Sequence, residues 1–227
     1  MKKVFLNLAL VASVAVGSVA CQQDAKNKTE AKEAEKAAEK SEMAEEFRVL
    51  APESDIKWEG LKKTGSGHNG KISIEKGMFT FTDGSIESGK FVINMESINV
   101  EDLEGDKKAK LEAHLKGTVE GKEGDFFNVQ EFPQAIFEVT EVKKTDDNKT
   151  LMLGNLQMKG ETKNIEVPVK NIEKNGDFIE FTTEEFAIDR TKWGVNYGSK
   201  SVFDNLVGDN IINDEIGLQI HIKAKKQ

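Results

Sequence analysis

The 227-residue sequence predicts an all-β domain of antiparallel strands, arranged either as a two-sheet sandwich or as one sheet closed into a barrel. Three observations carry this. Apolar residues recur at every second position through most of the chain after residue 46. Short glycine-containing turns ("EKG", "TDGS", "SGK", "KGET", "KNGD") separate the alternating runs at hairpin spacing. Only one stretch, "EGDKKAKLEAHLKG", has helical spacing, with Leu111 and Leu115 one turn apart and Gly117 as its stop.

Residues 1–20 precede this domain and differ from it. Lys2 and Lys3 lead an apolar run, Val4 to Val16, broken only by Asn7 and Ser13. The run is too short to span a bilayer and ends in small residues, which is the pattern of a secretory signal peptide. The segment "SVAC" resembles a bacterial lipobox with Ser18 in place of the usual leucine-like residue. It makes Cys21 the expected lipidation site and N-terminal membrane anchor. An ordinary cleavage site after Ser18-Val19-Ala20 is the alternative. One cysteine also excludes an intramolecular disulfide.

Residues 21–46 contain no glycine, proline or aromatic residue and no apolar stripe. Their Ala, Glu and Lys favour helix weakly, with Glu33 and Lys36 near one turn apart. The composition predicts a charged, flexible, lipidated tether, solvated and part helical, ahead of a domain over 47–227. The formal charge of −8 argues against nucleic acid as a partner.

Within the domain, Ile72, Ile74, Phe79 and Phe81 share one side of their strands, as do Phe91, Ile93 and Met95. Ile165, Val167 and Val169 repeat the pattern, and Ile216, Leu218, Ile220 and Ile222 give its cleanest form. One solvated and one buried face is the mark of antiparallel sheet. Pro133 cannot donate to a ladder, so it belongs at the start of the strand that carries Ala135, Phe137 and Val139. Phe126 and Phe127 fall in an irregular link where no strand period explains them, as a plug or a doorway at one end.

Catalytic patterns are missing from the sequence. His68, His114 and His221 share no metal-ligand spacing, so neither a metal site nor a cofactor is expected. No Walker loop, dinucleotide fingerprint or nucleophile elbow occurs, and the sequence offers no argument for an enzyme. What stands out is a set of bulky apolar side chains, with Trp58, Phe79, Phe81, Phe91, Phe137 and Phe186 at positions that turn many of them inward. Each alone reads as barrel filling; together with methionine they leave irregular space more readily than interlocking Val and Leu. Asp189, Arg190 and Trp193 form a further cluster, read as a strand-end salt bridge or, more sharply, as a site for an anionic head group.

The stretches "HLKG…GDFFNVQEFPQAIFEVT" and "LMLGNLQMKGETKNIEVPV" resemble signature segments of the YceI-like family. "IKWEG…GHNGKI…KGMFTF" and "GKFVINMESINVED" are similar to its opening strands, and "VGDNIINDEIGLQIHI" to its last. The likeness runs in order from Phe47 to Lys223, and "FAIDRTKWGVNYGSKSVFDNL" is similar to Bacteroidetes-type lipoprotein members. The resemblance implies an extended lipocalin-like eight-stranded antiparallel β-barrel with one short helix in a loop. It implies non-catalytic binding, transport or sequestration of an isoprenoid or other long-chain lipid at the cell envelope, in a periplasmic or outer-membrane-anchored lipoprotein. A structural lipoprotein with a self-filled barrel is the alternative, and a homodimer is left open. The expected ligand-binding residues are Trp58, Phe79, Phe81, Phe91, Ile93, His114, Phe126, Phe127, Phe137, Met158, Phe186, Arg190 and Trp193. The link "KGTVEGKEG" is longer than is usual for the family, so access at that barrel end is expected to differ.

Overall fold

The computed structural model describes residues 27–146 and 149–227. The expected signal peptide and the expected lipidation site Cys21 lie outside the described residues. Among the described residues ten strands and one α-helix follow in the order β1 (Glu45–Val49), β2 (Asp55–Lys62), β3 (Gly67–Thr82), β4 (Ser85–Val100), α1 (Gly105–Lys116), β5 (Gln134–Lys144), β6 (Thr150–Met158), β7 (Glu161–Asn175), β8 (Phe178–Thr183), β9 (Phe186–Asp189) and β10 (Ile212–Lys226). All strand pairings are antiparallel, and β2-β3-β4-β5-β6-β7-β8-β10 close into an eight-membered ring when β10 pairs back to β2. Barrel replaces sandwich, as the resemblance implied. Closure removes the free edges that an open sheet would present.

Two members of the ring are built in halves. After β2 has paired with β10 and β3, its place at the other end of the barrel is taken by β1, which pairs with the same two strands. Likewise β9 takes the place of β8 against β10, from Phe186 to Asp189. Register shifts between Val139 and Glu141, between Lys170 and Ile172 and at three points of the β3–β4 pair bend the long strands around the core.

The alternation read from the sequence sets the interior. Ala135, Phe137 and Val139 of β5 are buried while Gln134 is exposed, with Pro133 just ahead of the strand. The half of the barrel nearest the β3–β4 turn is filled by rings. Phe79 stacks on Phe47 at 5.7 Å between centroids, lies near-parallel to Phe91 at 6.1 Å and meets Phe181 edge-on at 5.8 Å. Offset and edge-on pairs of this kind contribute about 0.5–1.5 kcal/mol each beyond area burial. Gly154 lets β6 pass beside the Phe137 ring, because a Cβ there would fall 2.3 Å from its Cζ.

The other half is capped by α1 and its following link. The helix stops where predicted, at Gly117 with φ of 70°, whose N–H donates to the carbonyls of Ala113 and His114.

Residues 27–44, ahead of β1, depart from the flexible, part-helical tether that the sequence predicts over 21–46. Where β8 leaves β7 after Val169, the edge of β7 from Glu161 to Pro168 has no neighbour in the ring. Residues 27–32 occupy that seam. Thr29 N–H donates to Ala187 O, Ala187 N–H donates to Asn27 O, and Lys32 and Asn164 exchange backbone bonds, each of 2.9 Å. The chain then crosses β6 and β5, where Asn155 grips the backbone of Glu35 on both sides and Ala38 N–H donates to Val139 O. Thr29 is buried and Ala31 packs against the core, while Lys28, Glu30 and Lys32 are exposed. The physical reason is unsatisfied backbone: a seam of open N–H and C=O groups is a better partner for this polar segment than water alone.

Candidate functional site

The capped half of the barrel encloses an apolar cavity of about 130 Å³. Its walls come from every side of the ring: Ile56, Trp58 and Gly60 of β2, Ile72 of β3, Ile93, Met95 and Ile98 of β4, Ala135 of β5, and Leu156 and Met158 of β6. Ile188 of β9 with Ile212, Ile216 and Leu218 of β10 complete the wall, while Leu115, Phe126 and Phe127 come from the cap. Polar groups enter with Arg190, Asn213 and Glu215 and with the unpartnered indole N–H of Trp58. A second apolar space of about 40 Å³ lies deeper, between Phe91, Phe137, Phe181 and neighbouring aliphatic residues. Ile56 and Ile93 line both, so these two side chains form the partition. An apolar cavity of about 150 Å³ stays dry and accepts a ring the size of benzene. A long chain therefore fits only by displacing the partition and entering the deeper space.

The expected binding residues separate into groups. Trp58, Ile93, Phe126, Phe127, Met158 and Arg190 line the main cavity. Phe91, Phe137 and again Ile93 line the deeper one. Phe79 and Phe81 line neither; they belong to the ring-packed closed half, where the plainer reading of barrel filling holds. Phe186 and Trp193 are buried without facing either space, and Trp193 Nε1 donates to Leu156 O at 2.9 Å. His114 faces the cap: its Nε2 meets Asp125 Oδ2 at 2.7 Å, and its ring lies edge-on to Phe126 and Tyr197. These five pack or clasp within the protein and line neither space. Ile56, Ile98 and Leu156 also line the main cavity; period two points to such aliphatic walls, and a count of aromatic rings does not.

Arg190 is 2% exposed and its role is set by its donors. Nη1 donates to Val195 O at 2.6 Å, Nε to Asn213 O at 3.1 Å and Nη2 to Ile212 O at 3.3 Å. Asp214 lies 4.0 Å away, and burial lowers the guanidinium's proton affinity from its ordinary value. Three of its donors are thus spent stapling the 190–212 segment to β10. Lys159 acts beside it. Its ammonium donates to Gly124 O at 2.8 Å and Gly194 O at 3.1 Å, tying the cap link to the same segment, and desolvation lowers its pKa.

Phe126 and Phe127 close the cap over the cavity, with Phe126 held between His114 and Tyr197. Among the described residues no group of three or more His, Cys, Asp or Glu side chains could hold a metal ion.

A closed antiparallel barrel with an apolar interior cavity and a helical cap defines the class of the fold. The chain belongs to the YceI-like family, whose domain matches residues 47–224. It is 38% identical over 103 residues to a UPF0312 protein of Yersinia pestis, covering 44% of this chain and 47% of that one. A UPF0312 protein of Pseudomonas aeruginosa is 34% identical over 110 residues, covering 48% and 51%. The chain thus spans about half the length of the curated relatives it matches. Among solved structures, Burkholderia cenocepacia BcnA superposes with a TM-score of 0.58 at 22% identity, over 78% of this chain and 99% of its own. A Saccharophagus degradans domain described as polyisoprenoid-binding and implicated in plant cell wall breakdown gives 0.55 at 12% identity, over 80% and 98%. At these identities the two structures establish the shared fold.

Proposed function

We propose that this protein binds an amphiphilic, isoprenoid-type lipid with its apolar tail inside the barrel, without catalysing a reaction on it. The observation that carries this reading is the apolar cavity of about 130 Å³ and its continuation behind Ile56 and Ile93. Burial contributes roughly 25 cal/mol per Å² of apolar surface, so a tail alone supplies affinity without a charged contact. Arg190 and His114 bond within the protein, so the head group is left to the rim and the solvent beyond it. Family membership and the polyisoprenoid-binding relative of the same fold support the choice of ligand class. A role in transport or sequestration at the cell envelope, with Cys21 as the membrane anchor, completes the reading.

Native mass spectrometry of protein purified without detergent tests it. A co-purifying lipid, or uptake of an added polyprenol, is the expected result; an empty barrel that refuses the polyprenol overturns the proposal. The packing of Phe47, Phe79, Phe81 and Phe181 favours a second reading, a structural lipoprotein that fills its own interior. That reading requires no ligand in either form of the experiment.

A further inference from the structure

Seven large hydrophobic side chains are conspicuously exposed among the described residues, and four of them, Tyr197, Val202, Phe203 and Val207, lie in the single segment between β9 and β10. Val202 is 44% exposed, Phe203 47% and Val207 71%, in a loop that has the core of its own barrel within reach. The other exposed residues are scattered, and Phe178 lies under the Lys225 ammonium.

The loop does not hang freely. Arg190 and Lys159 hold its start, Ile212 N–H donates to Gly198 O at 2.8 Å, and Ser201 Oγ donates to Asp214 Oδ2 at 2.6 Å. Part of its backbone is also satisfied from within the loop. Phe203 N–H donates to Ser199 O at 2.9 Å, and the Lys200 ammonium covers the carbonyls of Leu206 and Asp204. A backbone satisfied in this way can leave water at low cost, which an apolar medium demands. The loop also stands at the cavity: Tyr197 packs on Phe126, and Ile212, whose N–H it holds, lines the wall.

We propose that Val202, Phe203 and Val207 insert into the interface of a lipid bilayer and seat the rim of the cavity on the membrane. The inference rests on the lipid-binding reading above, which explains why an apolar surface should adjoin an apolar cavity: a water-insoluble tail passes between bilayer and barrel without crossing bulk water. Arg190 is buried, Lys192 pairs with Asp189 and Lys200 is spent on carbonyls, while Asp204 and Asp209 are the segment's remaining charges, so the contact is with acyl chains and not with anionic head groups. Zwitterionic phosphatidylcholine is therefore the right probe.

The test uses the full chain with Phe203→Trp, and separately with Met78→Trp at the opposite end of the barrel, mixed with phosphatidylcholine vesicles brominated on their acyl chains. The N-terminal segment is the same in both, so the difference reports the depth of each site. Loss of fluorescence at position 203 but not at 78 is expected; no loss at 203, or equal loss at both, overturns the proposal. A Val202→Ser, Phe203→Ser, Val207→Ser variant should still bind polyprenol supplied in solution, but take it up from vesicles about tenfold more slowly. An unchanged uptake rate overturns membrane seating and leaves lipid binding standing. Failure of both proteins to bind polyprenol in solution overturns lipid binding instead, and the quenching comparison still decides the seating.

Discussion

Lys32 and Asn164 exchange two backbone hydrogen bonds of 2.9 Å, and through them residues 27–32 act as a short strand in the seam between β7 and β9. Asn164 is only 1% exposed although it points away from the core, because this segment covers it and its amide bonds Thr140 and Asn155. Lys32→Pro removes one donor and is incompatible with the pairing. At about 1 kcal/mol per hydrogen bond, and with neighbouring bonds fraying, the expected loss is about 1–2 kcal/mol. For a domain of this size that lowers Tm by about 2–8 °C. Hydrogen exchange should rise at Asn164 and Glu166 and at Ala187, and not in β3 or β4. Unchanged exchange at those amides would mean that the seam is closed without the segment.

Arg190 holds three carbonyls and stands beside an Asp214 Oδ1 that has no other partner. Arg190→Met keeps much of the volume and deletes the donors. Leaving that many buried acceptors unpaired should cost about 3 kcal/mol, lowering Tm by about 6–12 °C. Limited proteolysis should then cut within residues 194–211 before any other site. A variant that stays as resistant as the parent there would show that Arg190 does not hold the loop.

Much of the barrel was legible because burial on one face imposes period two. β5 and β10 could be placed to within a few residues at each end, and Pro133 and Gly117 marked the start of β5 and the stop of α1 for stated stereochemical reasons. The seam segment was not legible. Lys28 to Lys32 has no apolar signal, since its partners are backbone groups left open by the change from β8 to β9, a feature of topology and not of composition. Half of the candidate site was legible for a related reason. Period two shows that Phe79 and Phe91 both point inward, but not which inward position meets space and which meets another ring.

That distinction gives a contrast between two truncations. Phe79 is enclosed by Phe47, Phe91 and Phe181, so Phe79→Ala leaves a hole in close packing and should cost about 3–5 kcal/mol. Ile93 has empty space on both sides, so Ile93→Ala should cost less, near about 2 kcal/mol, the lower end for such a change. It should also join the two spaces and favour longer tails. Chemical denaturation gives the first comparison, and competition between short and long polyprenols gives the second. Equal costs and an unchanged preference would argue that Ile93 is not a partition.

Glu45, near the start of β1, accepts hydrogen bonds from Lys174 and Lys226, and these hold its carboxyl down at about 2 from an ordinary 4.5. Lys174 belongs to β7 and Lys226 to β10, so the carboxylate ties β1 to the end of β10 and to the far end of β7. A carboxyl with a depressed folded-state pKa contributes stability that is fully present above its unfolded value and is lost as the pH falls through the folded one. The window is therefore about 4.5 down to about 2. Glu45→Gln removes the titration, so its urea midpoint should fall less than the parent's over that window, while the two differ most near pH 6. Salt at about 1 M should narrow the difference at pH 6, because the pair is exposed and the Debye length is then about 3 Å. Parallel acid profiles for the two proteins would show that the Glu45 carboxylate is not held by these lysines in solution.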